Sequence, residues 1–261
     1  MPPNPLTIVT WLWYSPMIVS EALRPRYTYE QVNAVQAMVR KHLHIPHRFV
    51  CVTDDPYGVD CQTIRLWDFP TVTAPPGNPY CWHRLWAFSE GARALFGERF
   101  VSIDLDVIIL DDITDLFTGG EDFKILRGSA SPYNGSLWML RAGSRSCVWE
   151  DFHPDISPAL ALQQRMPNGK PFHGSDQAWI SYRIPDEPTW GPEDGVYQYA
   201  VVPLNALLGK AAGRPVEGDL RYHLPSNARM IFFAGDIKPW SVGFADRHPV
   251  LHAIYQDYAP A

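Results

Sequence analysis

The stretch Phe100-Val-Ser-Ile-Asp-Leu-Asp-Val-Ile-Ile-Leu110 decides the fold class and points to the chemistry. Its apolar, β-branched residues predict a buried strand that carries two carboxylates, Asp104 and Asp106. Residues two apart in a strand point to the same face, so these carboxylates are expected to converge. Burying an unpaired carboxylate is costly, so a cation is expected beside them. That cation can be a divalent metal ion; alternatively, one Asp caps a turn and the other pairs with an arginine.

Strand-like and helix-like segments alternate before this stretch. Between the first two predicted strands, Tyr29–His42 places apolar residues at helical spacing, and Thr28 with Gln31 forms a capping-box pattern at its start. This alternation predicts an α/β fold with a mixed, mainly parallel central sheet flanked by helices. The predicted strands are Leu6–Trp13, His47–Thr53 and Gln62–Leu66.

The later part of the chain is less regular, because proline and glycine are scattered through it. We find no internal repeat and no linker, so a single domain over residues 1–261 is expected. The remaining predicted elements are a helix at Trp82–Phe96, a turn at Asp111–Phe117, strands at Phe123–Leu126, Leu137–Leu140, Val196–Val202 and Met230–Phe233, and a helix at Ser175–Tyr182 with Ser175 as its N-cap.

Composition and charge narrow the class of protein. The net charge is -6, so no global basic field favours nucleic acid. Four cysteines lack metal-binding spacing, which predicts reduced thiols in a cytoplasmic protein, with a Cys51–Cys61 disulfide as the alternative. The N-terminus lacks a secretory signal pattern, and no apolar run reaches the ~20 residues of a membrane span.

Polar residues follow three of the predicted strands. They are Trp13-Tyr14-Ser15, Thr53-Asp54-Asp55 and Asp104-Leu-Asp106. In open α/β sheets ligands bind at the carboxyl ends of the strands, so these residues are expected to line one crevice. Hard oxygen ligands of this kind suit Mg²⁺ or Mn²⁺ together with a substrate phosphate.

Three further polar clusters each allow two interpretations. In Gly235-Asp-Ile-Lys-Pro-Trp240, the glycine permits close backbone approach, and Lys238 either binds a diphosphate or is solvated in a turn. The segment His173-Gly-Ser-Asp-Gln177 is a ligand site or only a helix start. Arg84 precedes the central strand, and it either reaches phosphates or neutralises Asp104.

Taken in chain order, these motifs resemble the GT-A glycosyltransferases, closest to the family 8 type that includes glycogenin and bacterial galactosyltransferases. The resemblance covers most of the chain. The motifs that carry it are the DxD at Asp104–Asp106, a D-x-x-x-L-F turn at Asp112–Phe117, Tyr133-Asn-Gly-Ser136, the pair Asp176-Gln177, and G-x-x-K-P-W at Gly235–Trp240.

The resemblance implies transfer of a sugar from a nucleotide-diphosphate donor to an acceptor hydroxyl, with retention and with Mn²⁺ or Mg²⁺. UDP-hexose is the family default, and the acceptor stays open between a glycan, a lipid-linked sugar, a protein side chain and a modified DNA base. The resemblance implies that Asp104 and Asp106 bind the metal ion and that Asp104 also contacts the ribose. It implies that Arg84, Lys238 and Gly235 bind the donor diphosphate. The catalytic contacts to the sugar would come from Asn134, Asp176 and Gln177, and the base contacts from Tyr14 and Asp54.

The sequence departs from that family where a metal-ligating histidine normally precedes the glycine of the last motif. Phe232, Phe233 and Ala234 stand there instead. The first strand also lacks the usual acidic residues directly after it. The candidates for a substitute ligand are His223, His248, His252 and Asp236.

Two other functions stay open. Asp104-Leu-Asp-Val107 also matches the motif of haloacid-dehalogenase-like phosphatases, in which Asp104 would be the nucleophile. That motif normally follows the first strand of the chain, whereas here a strand–helix–strand unit precedes it. The missing histidine favours the other alternative, a non-catalytic nucleotide-sugar binding protein.

Overall fold

The computed structural model describes residues 5–13, 27–69, 80–174, 176–199, 224–233 and 238–259. In this part of the chain the strands form a seven-stranded sheet in the order β3-β2-β1-β4-β7-β6-β8 and a three-stranded sheet in the order β5-β10-β9. The strands are β1 Leu6–Leu12, β2 His47–Thr53, β3 Gln62–Arg65, β4 Arg99–Ile103, β5 Val107–Ile109, β6 Phe123–Arg127, β7 Tyr133–Arg141, β8 Thr189–Trp190, β9 Val196–Gln198 and β10 Met230–Phe232.

The large sheet is mixed and mainly parallel, as the sequence predicts. Strands β3, β2, β1 and β4 run parallel, β7 runs antiparallel to β4 and β6, and β8 is parallel to β6. Every residue of β1 is buried, with Ile8 and Leu12 packed in one hydrophobic cluster and Val9 and Trp11 in the other. Burial on both faces is expected of a parallel sheet covered on each side.

Helix α1, Tyr29–His42, covers one face and has the predicted bounds. Its N-terminus is held by the capping box: Thr28 Oγ1 accepts from Glu30 N at 3.3 Å, and Gln31 Oε1 accepts from Thr28 N at 2.7 Å. The apolar face of α1 packs against β1 and β5, so the capped end fixes the position of Tyr27. The other α-helices are α2 Ala92–Phe96, α3 Cys147–Glu150, α4 Ser157–Gln163, α5 Asp176–Arg183, α6 Phe244–Arg247 and α7 Pro249–Gln256.

The predicted helix Trp82–Phe96 is divided in two. A 3₁₀ helix spans Tyr80–Phe88, and α2 begins only at Ala92. The buried residues Trp82, Leu85 and Phe88 recur every third position, which matches the three residues per turn of a 3₁₀ helix. The single-helix prediction is therefore wrong, because the apolar pattern follows a period of three.

The predicted strand Phe100–Leu110 is also divided. It contributes β4 to the large sheet and β5 to the small one, and the chain crosses between them at Asp104–Asp106. The backbone N–H of Asp104 still bonds to Ser136 O at 2.9 Å, whereas the carbonyl of Asp106 accepts from Phe233 N at 2.8 Å. The two carboxylates therefore do not lie on one face of a single strand. The prediction that they do, made from their two-residue spacing, is wrong.

Three other predicted elements have different bounds. Strand β7 begins at Tyr133, so Asn134 lies inside a strand that sequence analysis placed at Leu137–Leu140. Strand β9 ends at Gln198, and residues 200–202 of the predicted Val196–Val202 strand lie outside the described residues. The predicted N-cap Ser175 also lies outside them, directly before α5.

Candidate active site

The polar cluster lies at the carboxyl edge of the parallel strands. Asp104 follows β4 directly, and Asp54 follows β2, with β1 between the two strands. Neighbouring strands lie about 4.8 Å apart, which puts the ends of β2 and β4 roughly 10 Å from each other. Asp54 and Asp104 therefore lie at the same sheet edge, one on each side of the end of β1.

Arg84 joins two carboxylates that are far apart in the sequence. Its Nη1 pairs with Asp104 Oδ1, while Nε and Nη2 contact Asp176 Oδ2 at 2.9 and 2.6 Å. Arg84 and Asp176 are buried, and 26% of the Asp104 side chain is exposed. A planar guanidinium with five N–H donors can serve two carboxylates at once. Asp104 is thus the member of this triad that faces solvent.

The charges in this triad perturb one another. Burial alone would lower the pKa of the Arg84 guanidinium, but Asp104 and Asp176 outweigh it and raise that pKa well above its usual range. Burial raises the pKa of Asp176, and Arg84 opposes that rise. Arg84 is therefore a permanent cation, and its charge favours the ionised form of Asp176 against the effect of burial.

Gly135 makes room for this triad. A Cβ at this position would lie 2.9 Å from Arg84 Nη2 and 3.2 Å from Asp176 Oδ2. The Gly135 N–H also donates to Gln177 Oε1 at 3.3 Å, which ties β7 to the first turn of α5. A side chain here would displace the guanidinium, so the glycine is required by close approach.

A second buried ion pair lies on the other side of the DxD. Lys238 Nζ pairs with Asp106 Oδ2 and donates to the carbonyl of Phe233. Tyr27 OH donates to the same Asp106 Oδ2 at 3.0 Å. The other oxygen of Asp106, Oδ1, is buried and has no hydrogen-bond partner among the described residues. Among the described residues, Asp106 therefore has one oxygen that already accepts two hydrogen bonds and one that is free to accept.

Burial raises the pKa of Asp106, and Lys238 opposes the rise. Burial, followed by the charges of Asp106 and Asp104, raises the pKa of Tyr27 well above its usual value. Tyr27 is therefore neutral and acts as a donor. Within the described part of the site, three carboxyl groups therefore face two cations, Arg84 and Lys238.

The carboxylate oxygens of the site supply some of the ligands that a hard divalent cation needs. The unpartnered Oδ1 of Asp106 and the exposed carboxylate of Asp104 are oxygen ligands of the type that Mg²⁺ and Mn²⁺ prefer. Within the described ranges, no group of three or more His, Cys, Asp or Glu residues could hold a metal ion. The remaining ligands would have to come from a bound phosphate, from water or from residues outside these ranges.

The proposed substitute histidines have other contacts. His248 Nε2 bonds to Tyr199 OH, and His252 Nδ1 lies 3.1 Å from Pro239 O. Neither joins Asp104 and Asp106 in a metal-binding group of the described chain. The other two substitutes, His223 and Asp236, lie outside the described residues.

Asn134 is held from both ends of its amide. Its Oδ1 accepts from Ser136 N at 2.8 Å, and its Nδ2 donates to Gln198 Oε1 at 2.9 Å. Gln198 in turn donates to the carbonyl of Arg127, so it links the small sheet to the large one beside Asn134. Neither Gln198 nor Tyr27 was predicted from the sequence, and Gly135 was quoted only within a motif, because each acts through a contact with a residue distant in the chain.

The structure brings most of the predicted site residues to one region. Arg84, Asp104 and Asp176 form the first ion cluster, and Asp106 with Lys238 forms the second. Hydrogen bonds connect Gln177 to β7 through Gly135, and Asn134 lies one residue earlier on that strand. Asp54 is at the same sheet edge. Tyr14 and Gly235 lie outside the described residues, and the binding and catalytic roles of all these residues stay predictions.

The fold is similar to that of solved glycosyltransferases, although no protein-family model and no curated protein matches the sequence. The galactosyltransferase LgtC, in complex with donor and acceptor sugar analogues, aligns with a TM-score of 0.56 and 10% identity over 98% of this chain and 97% of LgtC. The glycosyltransferase GlyE of Streptococcus pneumoniae TIGR4 aligns with a TM-score of 0.52 and 12% identity over 97% of this chain and 63% of GlyE. The bifunctional glycosyltransferase WbbM, in its apo form, aligns with a TM-score of 0.51 and 12% identity over 97% of this chain and 51% of WbbM.

These similarities establish a GT-A glycosyltransferase fold, and the predicted fold class is confirmed. The similarity extends over nearly the whole chain, from the parallel strands to the C-terminal helices. Among the described helices, none has the length and apolar character that a membrane crossing requires.

Proposed function

We propose that the protein is a glycosyltransferase that moves a hexose from a UDP-type donor to an acceptor hydroxyl, with retention at the anomeric carbon. One observation carries the proposal: the buried cations Arg84 and Lys238 pair with Asp104 and Asp106 at the β4–β5 junction of a GT-A fold, at the sheet edge where α/β proteins bind ligands. Desolvated charge of this kind is common in catalytic sites and costly elsewhere.

Each residue has a distinct part in this proposal. Asp104 and Asp106 would hold Mn²⁺ or Mg²⁺, which when bound supplies positive charge to the leaving diphosphate. Lys238 supports the same diphosphate with a compact cation, and Arg84 pairs with both Asp104 and Asp176. These charges stabilise the transition state more than the ground state, because negative charge grows on the diphosphate as the glycosidic bond breaks.

The sugar lies, in this proposal, against the face formed by β7 and the start of α5. Asp176, Gln177 and Asn134 contact it there, and Gln198 orients the amide of Asn134. The nucleotide base extends towards Asp54 and Tyr14, at the ends of the first two strands. Retention requires the acceptor hydroxyl to approach on the face that the diphosphate leaves: the new C–O bond forms as the bond to the diphosphate breaks, and the hydroxyl proton passes to the departing diphosphate oxygen. The candidate acceptors stay a glycan, a lipid-linked sugar, a protein side chain or a modified DNA base.

A non-catalytic nucleotide-sugar binding protein is the second candidate. It is favoured by the side chains of Phe232 and Phe233, which are fully buried in the core where the family has a metal-ligating histidine. The phosphatase alternative would use Asp104 as its nucleophile, and Arg84 pairs with only one oxygen of that carboxylate. The GT-A fold gives the phosphatase alternative no support.

The first test is a thermal-shift panel of UDP-, GDP-, ADP- and CMP-sugars, each with Mn²⁺ and with EDTA. A ligand at 100 times its dissociation constant stabilises the folded state by about 2.7 kcal/mol. For a chain of this size that corresponds to a shift of roughly 5–10 °C. We expect such a shift with one class of nucleotide sugar, and we expect it to be smaller in EDTA. No shift with any donor would contradict the proposal.

The catalytic and non-catalytic candidates are separated by turnover of the donor that binds. Asp106→Asn is expected to lower turnover at least 100-fold, because it removes the charge that pairs with Lys238 and would hold the cation. Donor binding without hydrolysis or transfer to any acceptor would favour the binding protein instead.

A further inference from the structure

The ammonium of Lys238 pairs with one oxygen of the Asp106 carboxylate, which is also a proposed ligand of the cation. Lys238 is 4% exposed, and it pairs with Asp106 Oδ2 and the carbonyl of Phe233. Tyr27 donates to the same Oδ2, and the Lys238 ammonium lies 5.5 Å from the centroid of the Tyr27 ring. In the ligand-free protein, Asp106 therefore already has an internal counter-ion, which Tyr27 helps to hold in place.

Adding a divalent cation to this arrangement creates a conflict between like charges. A cation on Asp106 Oδ1 would lie a few ångströms from the Lys238 ammonium, in a buried region where water screens little. Lysine carries its charge on a flexible stem with three rotatable donors, so it can change partners. A donor diphosphate brings negative charge to the same place and offers the ammonium a new partner.

We propose that Lys238 is the counter-ion of Asp106 in the ligand-free protein and exchanges Asp106 for the donor diphosphate when the divalent cation binds. This inference rests on the proposed function, since it requires a nucleotide-diphosphate ligand. It follows that the cation and the nucleotide bind as a pair: each strengthens the binding of the other by the same factor. Lys238 adds to the coupling that comes from direct contact between the phosphate and the cation.

The experiment measures Mn²⁺ binding to the full chain by the electron paramagnetic resonance signal of free Mn²⁺, with and without UDP. The Mn²⁺–UDP complex is measured alone and subtracted. For the wild type we expect weak binding of Mn²⁺ alone and at least tenfold tighter binding when UDP is present. For Lys238→Met we expect Mn²⁺ alone to bind at least tenfold more tightly than to the wild type, and UDP to strengthen that binding by a clearly smaller factor than in the wild type.

Two control variants frame this comparison. Lys170→Met removes an exposed lysine that makes no ion pair within the described residues, and it should behave as the wild type. Asp106→Asn should lose Mn²⁺ binding both with and without UDP. Because Lys238→Met leaves a buried carboxylate without its cation, Lys238→Gln is made as a second neutral variant that can still donate to Asp106. Circular dichroism checks the fold of each, and Mn²⁺ should raise the Tm of both Lys238 variants more than that of the wild type.

The outcomes separate this inference from the proposed function. Lys238 variants that bind Mn²⁺ no more tightly than the wild type, while the wild type binds UDP, would overturn the inference and leave the proposed function standing. If the Lys238 variants bind Mn²⁺ more tightly than the wild type but the wild type binds no UDP, the role of Lys238 as counter-ion of Asp106 is supported. The same result would count against the proposed function. If neither variant folds, the inference is tested on the wild type alone. It is overturned if UDP strengthens Mn²⁺ binding to the wild type by less than twofold.

Discussion

Gly135→Ala tests whether the Arg84 triad is as tightly packed as the structure implies. The new Cβ would lie 2.9 Å from Arg84 Nη2, against at least 3.4 Å for an ordinary contact, so the guanidinium has to move by about 0.5 Å. Gly135 has no positive φ, so the backbone accepts alanine without strain and the contact alone determines the result. The displaced group is a buried cation between two carboxylates, and its surroundings cannot easily yield.

The magnitude follows from overpacking in a buried site. Such changes cost about 1–3 kcal/mol, which for a chain of this size lowers Tm by roughly 2–12 °C. Misplacing a catalytic group by about 1 Å costs up to 100-fold in rate, so a shift of half that size is expected to lower donor turnover about tenfold.

Gly120→Ala is the matched control for this change. A Cβ added at Gly120 would meet no heavy atom within 4 Å, and this glycine has no positive φ, so the stability of the variant should stay within about 0.5 kcal/mol of the wild type. Urea unfolding and donor turnover are measured for both variants. Equal stability and equal turnover of the two alanine variants would refute the packing argument.

Three further changes test other parts of the account. Arg84→Lys keeps the charge but cannot serve both Asp104 and Asp176, so urea unfolding should show a loss of about 1–3 kcal/mol, and an unchanged midpoint would contradict the bridge. Burial raises the pKa of Tyr255 to about 12, above its ordinary 10.0, so its contribution to stability is complete below pH 10 and is lost as the pH rises through 12. Between pH 8 and pH 11, the free energy of unfolding of the wild type should therefore fall by about 1.3 kcal/mol relative to that of Tyr255→Phe. A difference between the two proteins that stays constant with pH in urea unfolding would exclude this. Thr28→Ala removes the capping hydroxyl of α1 and should cost about 1 kcal/mol in thermal unfolding, whereas no loss would show that packing alone holds the helix end.

Local elements were predictable where a local signal determines them. Helix α1 has the predicted bounds because its capping box and its apolar face both lie within sixteen consecutive residues, from 27 to 42. Strand β2 also has its predicted bounds, since it is a short apolar run that ends at polar residues. The GT-A fold class followed from the order of motifs along the chain, and the solved structures bear it out.

The break at the DxD was not predictable from the same kind of signal. A continuous apolar run is compatible with one long strand, and the division into β4 and β5 depends on Ser136 and Phe233, which supply the partners on either side. The 3₁₀ helix before α2 was missed for a different reason: its period of three was assigned to an α-helix.

The pairing of the site charges was likewise beyond the sequence. Arg84 and Asp176 are 92 residues apart, and Lys238 and Asp106 are 132 apart, so only the topology brings each pair together. Residue types identified the candidates, and one of the two interpretations of Arg84 was that it neutralises Asp104. The sequence offers no rule that would assign Lys238 to Asp106 in the ligand-free protein.

The central claim is glycosyl transfer from a nucleotide-diphosphate sugar, and the most direct measurement is product analysis of donor turnover. The wild type and Asp106→Asn are incubated with the nucleotide sugar that stabilises the protein most, and nucleoside diphosphate, free or transferred sugar, and inorganic phosphate are quantified. The account predicts equal amounts of nucleoside diphosphate and sugar, no inorganic phosphate, and a rate at least 100-fold lower in Asp106→Asn. Release of inorganic phosphate, or turnover that is unchanged in Asp106→Asn, would contradict it.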